Sequence, residues 1–296
     1  MSHPTTPQPP WTILKVLTWT AERFRARNVE SPRASAEILL AHALGLGRID
    51  LYLRHDQPLE SAELDRFRAM IRRRTAGEPV AYIVGEREFW SLPMGVDPSV
   101  LIPRPETELL VEAALAELPP SAEGVRRVLE LGTGSGAPVL AVASERPGHA
   151  YFASDRSPAA LRAARANAIR NGLEGPVRFF CGDWLSPLRA DAPPFDLIFS
   201  NPPYIASREI PDLQIEVARF EPRLALDGGP DGLAAIRRLI RETPAFLRRG
   251  GALLLEIGHE QRAAVEALAE ANGRWSDARF RSDYAGRDRV VRLEVS

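Results

Sequence analysis

Cysteine is almost missing from this chain. Cys181 is the only one in 296 residues, so no intrachain disulfide can form and a cysteine-rich metal site is excluded. His3, His42, His55, His149 and His259 stand without ligand spacing, and no metal is expected. Lysine is reduced to Lys15, all other positive side chains being arginine, and the formal net charge is -1. That balance lacks the basic surplus of a protein that grips nucleic acid by bulk electrostatics, so no direct nucleic-acid substrate is expected. No apolar run approaches the roughly 20 residues of a membrane span, so no membrane partner is expected. The Pro-rich start, Met1 to Pro10, lacks the apolar core of a signal peptide, which points to a reducing, cytoplasmic setting.

What remains is a globular composition, 45% apolar and 26% charged, on a chain long enough for two domains. Beyond a tail expected to be disordered, Ile13, Val16, Leu17, Thr20, Ala21 and Phe24 recur at helical spacing. Ser31 before Pro32 predicts a hydroxyl-capped helix start, and Gly45 its end. A third helix is predicted from Ser61 through Leu64, Phe67 and Ile71 to Gly77, so the first part reads as a small helical bundle. Arginines cluster on that helix at 66, 68, 72, 73 and 74; a solvated face and a contact surface for an acidic or RNA-bearing partner both remain open. Tyr82 to Phe89 and Met94 to Leu101, parted by Ser91, Leu92 and Pro93, suggest a hairpin between two domains.

From Arg127 the pattern changes to short apolar strands alternating with helices. Val128 to Leu131, Tyr151 to Ser154, Val177 to Phe180, Phe195 to Ser200 and Ala252 to Ile257 are predicted strands, with helices from near Ala137, Pro158, Gly232 and Glu260. Two more strands, Ala278 to Arg281 and Arg289 to Val295, close the chain. Such alternation predicts a largely parallel sheet with helices on both faces and ligands beyond the carboxyl ends of its strands.

Two strand ends carry the chemistry. Leu129 to Leu131 run into Gly132, Thr133, Gly134, Ser135 and Gly136, a turn whose glycines bring backbone close to a ligand at a helix start. Spacing alone also fits a dinucleotide fingerprint, so a nicotinamide enzyme stays open at this point, and Asp155 at the next strand end suits the ribose of either cofactor. Gly182, Asp183 and Trp184 close the third strand, where an adenine would meet a carboxylate and an aromatic face. After Phe199, the run Asn201, Pro202, Pro203 and Tyr204 is an ordinary turn or a receptor for an NH2 group. The two prolines fix φ and hold their carbonyls and the Asn201 amide in one orientation. Hydride transfer has no use for an amide-grasping turn; methyl transfer to nitrogen does.

With these strings, the chain resembles the release factor glutamine methyltransferase family. The likeness extends to Glu30 to Arg33, to Gly77 to Gly85, to Leu101 to Glu108, to Asp227 to Leu233 and to Asp288 to Val290. The resemblance implies an α/β, Rossmann-like class I methyltransferase sheet with a small amino-terminal helical bundle. Its domain division would be a tail at 1-10, a helical substrate-recognition domain at 11-80, a hairpin linker at 81-103 and the methyltransferase domain at 104-296. It further implies S-adenosylmethionine as cofactor, S-adenosylhomocysteine as product, and release factors as protein substrate, methylated on the glutamine of their Gly-Gly-Gln loop. Gly132, Thr133, Gly134, Ser135, Gly136, Asp155, Trp184 and Asn201 would hold the cofactor. Asn201, Pro202, Pro203 and Tyr204 would hold the glutamine, with Asn201, Pro202 and Tyr204 catalytic and Tyr204 packed on its side chain. Pro138 and Arg156 depart from the family pattern. The alternative is a nucleic-acid methyltransferase acting on the exocyclic amine of adenine or cytosine, which shares the Asn-Pro-Pro-aromatic turn; a noncatalytic binding module is a further one.

Overall fold

The computed structural model describes residues 11–296; the tail expected at 1-10 lies outside the described residues. The chain divides into two units between Gly85 and Glu86. In the first, helices α1 (Ile13–Arg25), α2 (Pro32–Leu44), α3 (Arg48–Leu53), α4 (Ser61–Thr75) and α5 (Val80–Val84) form a bundle. The stripe Ile13, Val16, Leu17 and Phe24 is buried with Leu39, Leu40, Leu51, Phe67 and Ile71, because only one face of each helix is apolar. Gly45, at φ 64, ends α2 in the left-handed conformation that glycine reaches without a Cβ penalty.

Two local expectations change. Ser31 itself sits at φ 45, and its side chain makes no cap bond, because the left-handed backbone turns the hydroxyl from the helix start. Helix α4 begins at Ser61 as expected, with the N–H of Glu60 before it donating to the Glu63 carboxylate at 2.8 Å. The stretch expected as strand from Tyr82 begins as helix α5, set off by Pro79 before it and by Gly85 at φ 81 after it. The α4 arginines are largely engaged within the unit: Arg73 pairs with Glu78 at 2.5 Å, Arg68 with Asp65 at 3.0 Å, and Arg74 is buried, bonding the Glu78 carbonyl at 3.1 Å.

The second unit opens with a tight hairpin of β1 (Glu86–Phe89) and β2 (Leu92–Gly95), shorter than its sequence suggested. Trp90 and Ser91 form its loop at φ 53 and 59, the positive values a two-residue hairpin turn demands. Then follow α6 (Glu108–Glu117), β3 (Arg127–Leu131), α7 (Ala137–Glu145), β4 (Ala150–Asp155), α8 (Pro158–Arg170), β5 (Val177–Cys181), β6 (Phe195–Ser200), α9 (Ile215–Phe220), α10 (Ala234–Glu242), β7 (Leu247–Glu256), α11 (Arg262–Asn272), β8 (Trp275–Ser282) and β9 (Asp288–Val295). All seven predicted strands from Arg127 on lie in one sheet of order β5-β4-β3-β6-β7-β9-β8. The first five of that order run parallel; β9 is antiparallel to β7 and β8 to β9.

This strand order positions the site. From β3 the chain winds outward to β4 and β5, then returns to place β6 on the other side of β3. The switch point, where α/β sheets bind ligands, therefore lies between the carboxyl ends of β3 and β6. Leu131 pairs with Ser200 there, so Gly132 and Asn201 leave the sheet side by side. Apolar cores fill both faces, Val128, Leu140, Tyr151 and Phe199 on one and Leu129, Leu131, Ile198 and Leu253 on the other.

Candidate active site

At the switch point the Gly132 turn is held from below. The N–H groups of Gly132 and Thr133 both donate to the Ser154 carbonyl at 2.9 Å, and the Ser200 hydroxyl donates to the Leu131 carbonyl at 2.7 Å. Asn167 on α8, itself buried, donates to the carbonyls of Ser135 at 2.9 Å and Gly95 at 3.0 Å, tying the turn to the hairpin. Gly136 has φ 82, and a Cβ there would stand 3.1 Å from that of Ala164, so this glycine serves the packing of α7 on α8. Pro138 falls in the first turn of α7, where its missing N–H costs nothing.

Asp155 reaches the turn from the end of β4. Its Oδ2 accepts the Gly134 N–H at 2.9 Å and its Oδ1 the Ser157 N–H at 2.8 Å. Burial pushes its carboxyl above the usual range, against these two hydrogen bonds. Beneath the turn, Glu130 accepts the Thr133 hydroxyl, and burial pushes its carboxyl up to about 8. Trp184 is half-buried at φ 54, an uncommon backbone for an aromatic residue, with its ring edge 3.5 Å from a Cβ placed on Gly132. Its neighbour Asp183 is paired with Arg238 at 2.6 Å.

These elements enclose a cavity of about 450 Å³. Gly132, Thr133, Gly134, Ser135, Asp155, Trp184, Asn201 and Pro203 line it, together with Asp183, Arg156 and, before α6, Ser99, Val100, Leu101, Pro103 and Arg104. Gly136, Pro202 and Tyr204 are not on its wall. Pro202 is buried. Tyr204 packs on the core beneath the turn and donates to Glu256 Oε1 at 3.3 Å. The turn is braced by the loop after α9, since a Cβ on Gly228 would lie 2.8 Å from the Pro203 carbonyl, and Gln261 donates to the Tyr204 carbonyl at 3.0 Å.

Asn201 Nδ2 donates to Thr107 Oγ1 at 3.1 Å. Thr107 and Glu256 were not singled out from the sequence, nor was Glu221, which receives both Arg104 and the Ile102 N–H, the latter at 3.2 Å. Arg104 thus locks the segment before α6 to the end of α9. Glu130 and Glu256 did leave a signal: each is the one acid in an otherwise apolar buried strand end.

The cavity suits S-adenosylmethionine. A Cβ on Gly134 meets nothing within 4 Å, so the space it would fill belongs to the cavity. Asp155 offers lone pairs to a ribose diol, and Trp184 a face to a base. Among the described residues no cluster of side chains could hold a metal ion, and no helix is long and apolar enough to cross a membrane.

Comparison with known proteins agrees along nearly the whole chain. Residues 15–85 match the family described as PrmC N-terminal domain, and residues 106–219 the methyltransferase small domain. The release factor glutamine methyltransferase of Moorella thermoacetica is 45% identical over 94% of this chain and 96% of its own. That of Burkholderia pseudomallei is 47% identical over 91% of this chain and 94% of its own. Among solved structures, a methyltransferase from Pyrococcus furiosus superposes with a TM-score of 0.51 at 20% identity, covering 77% of this chain and 96% of that one. The two-part sequence match and the switch-point cavity together place the protein: it belongs to the release factor glutamine methyltransferase family.

Proposed function

We propose that this protein transfers a methyl group from S-adenosylmethionine to the side-chain amide nitrogen of the glutamine in the Gly-Gly-Gln motif of peptide chain release factors. The observation that carries the reading is the juxtaposition of Gly132 and Asn201 at neighbouring strand ends on one cavity wall. A cofactor pocket and an amide-grasping turn share that edge. Gly132, Thr133, Gly134 and Ser135 would hold the cofactor, with Asp155 serving its ribose and Trp184 and Asp183 its base, while Gly136 acts through helix packing. When bound, it supplies a methyl group on a sulfonium centre that leaves as a neutral thioether as the carbon–nitrogen bond forms. The helical unit recognises the body of the release factor, and a translation-linked substrate places the enzyme in the cytoplasm.

The difficulty of the reaction lies in the amide. Its nitrogen lone pair is conjugated, and full loss of conjugation would cost as much as the roughly 18 to 20 kcal/mol rotation barrier. Partial pyramidalisation is all the site has to induce. Although Pro202 is buried and off the cavity wall, its backbone carbonyl, next to Asn201 in the turn, would accept one amide hydrogen and Asn201 Oδ1 the other, steering the lone pair toward the methyl group and stabilising positive charge as it grows on nitrogen. Acceptors aimed at developing charge are worth about 3 to 4 kcal/mol each, while alignment of the reacting atoms contributes roughly 7 to 11 kcal/mol. Orientation therefore dominates. Pro203 walls the glutamine side chain, and Tyr204 holds the turn from beneath through Glu256. The methylated, positively charged amide loses its proton to water readily, so no strong base is required.

Asn201→Ala is expected to lower turnover on a release factor about 100-fold, with S-adenosylmethionine affinity by calorimetry changed far less. Near-normal turnover in that variant would sink the assignment of Asn201. Transfer of labelled methyl to DNA or RNA, with none to release factor, would favour the nucleic-acid reading.

A further inference from the structure

Gln261 is half-buried and stands just before α11. Its side chain commits each hydrogen-bonding group to a different stretch of backbone. Nε2 donates to the Tyr204 carbonyl at 3.0 Å and to the Gly232 carbonyl at 3.2 Å, and Oε1 accepts the Gly258 N–H at 2.9 Å. A flipped amide would set its oxygen against two carbonyls and its NH2 against an N–H, so these partners fix its direction. Three segments of the second unit, after β6, before α10 and after β7, therefore meet at one amide. Gly232, at φ 76, makes the meeting possible: a Cβ there would stand 2.5 Å from the Tyr204 carbonyl oxygen and 2.9 Å from Gln261 Nε2.

Tyr204 ends the turn that receives the substrate. The other end is fixed by the sheet, since Ser200 pairs with Leu131 in register and its hydroxyl donates to the Leu131 carbonyl at 2.7 Å. Between them lie Asn201, Pro202 and Pro203. The two rings fix φ at Pro202 and Pro203, and each proline confines the residue before it to extended backbone. A segment with so few soft dihedrals carries a constraint at one end through to the other. We propose that Gln261 is a positioning residue for methyl transfer: by holding the Tyr204 carbonyl it sets the rigid Pro202–Pro203 segment, and with it the direction in which the Pro202 carbonyl and Asn201 Oδ1 face the substrate amide. This rests on the methyl-transfer reading above.

The bonds next to this anchor favour placement of the turn over mere packing. The Ile205 N–H donates to the Leu226 carbonyl at 3.1 Å, and the Ile205 carbonyl accepts the Gly228 N–H at 2.8 Å, so the chain beyond Tyr204 is tied to the loop that presents Gly232. The Tyr204 phenol is held as well, by Glu256 Oε1 at 3.3 Å. Gln261 is the one side chain that joins this loop, the Tyr204 carbonyl and the end of β7 at once.

The test separates the two ends of the Gln261 amide. Gln261→Met keeps the length of the side chain and removes both ends; Gln261→Glu keeps the shape and the acceptor for Gly258 but turns a carboxylate oxygen on two carbonyls. Each variant is assayed by steady-state methylation of an intact purified release factor, with S-adenosylmethionine affinity by calorimetry and thermal unfolding measured on the same preparations. Gln261→Met is expected to lower kcat about 10-fold, the factor one neutral hydrogen bond is worth, with KM for release factor and cofactor affinity little changed. Gln261→Glu is expected to be at least as slow, whereas a role confined to seating α11 through Gly258 would leave it near wild type. In a Pro203→Ala background, where the segment is softened, the further loss on Gln261→Met should shrink to less than about 3-fold.

A Gln261→Glu enzyme with wild-type kcat, a Gln261→Met enzyme whose cofactor affinity falls as far as its kcat, or an undiminished loss in the Pro203→Ala background would overturn the proposal. If Gln261→Met fails to fold, Gln261→Glu, which keeps the Gly258 bond, decides the question alone. Wild-type enzyme that labels adenine or cytosine and not glutamine would sink the substrate reading alone, and the same variants on that substrate would then judge the anchor.

Discussion

Arg104→Ala tests the energetics of the cavity wall most sharply. Arg104 pairs with Glu221, whose side chain is 1% exposed, while Arg104 itself is 32% exposed. Among the described residues, the other bond to that carboxylate is the Ile102 N–H at 3.2 Å. Breaking a buried pair by removing one partner costs about 3 to 5 kcal/mol, and solvent reaching Arg104 reduces this to about 2 to 4 kcal/mol. Glu221 has an escape: burial already pushes its carboxyl above the usual range, with Arg104 pulling the other way. Without Arg104 the carboxyl climbs further and takes a proton. A carboxyl whose folded-state pKa is raised contributes stability that is present at low pH and lost as pH rises through that pKa. The destabilisation should therefore be small at pH ~5 and reach its full about 2 to 4 kcal/mol at pH ~8. Urea unfolding of the second unit, followed by tryptophan fluorescence at both pH values, measures it, and Arg104→Ala combined with Glu221→Gln should recover most of the loss at the higher pH. An equal deficit at both pH values, or one under about 0.5 kcal/mol at the higher, would refute the reasoning.

Gly182→Ala should be costly, because a Cβ there would lie 1.7 Å from Pro187 Cγ and a proline ring cannot swing aside; a loss of about 2 to 3 kcal/mol by thermal unfolding and weaker S-adenosylmethionine binding by calorimetry are expected. Glu130, raised from 4.5 to about 8 by burial, adds stability that is complete below pH ~4.5 and lost as pH rises through about 8. Glu130→Gln should flatten the unfolding temperature across that range, and a curve as steep as that of wild type would contradict the burial of a neutral acid.

Much of the fold was legible because strand periodicity is strong here. Val128 to Leu131 and Phe195 to Ser200 are apolar on both faces, as strands covered by helices must be, and their carboxyl ends announce themselves by glycine and proline. Local dihedrals were less legible. Ser31 looks like a cap but sits at φ 45, and Val80–Val84 looks like strand because β-branched residues dominate it, yet Pro79 and Gly85 delimit one turn of helix. The candidate site divides along the same line. Residues that use backbone, such as Gly132 and Pro203, mark themselves by type. Thr107, Glu221 and Glu256 act across 94, 117 and 52 residues of chain on Asn201, Arg104 and Tyr204, separations that no local pattern encodes. Tyr204 was expected against the glutamine; what no local pattern announced is that its hydroxyl donates to Glu256, since a buried phenol needs a partner.

The most direct measurement is mass spectrometry of the tryptic peptide that carries the Gly-Gly-Gln loop, from release factor incubated with S-adenosylmethionine with and without this protein. One added methyl group, located by fragmentation on the glutamine side chain and formed only in the presence of the protein, is the predicted result. An unmodified glutamine, or a methyl group on another residue or on added nucleic acid, would contradict it.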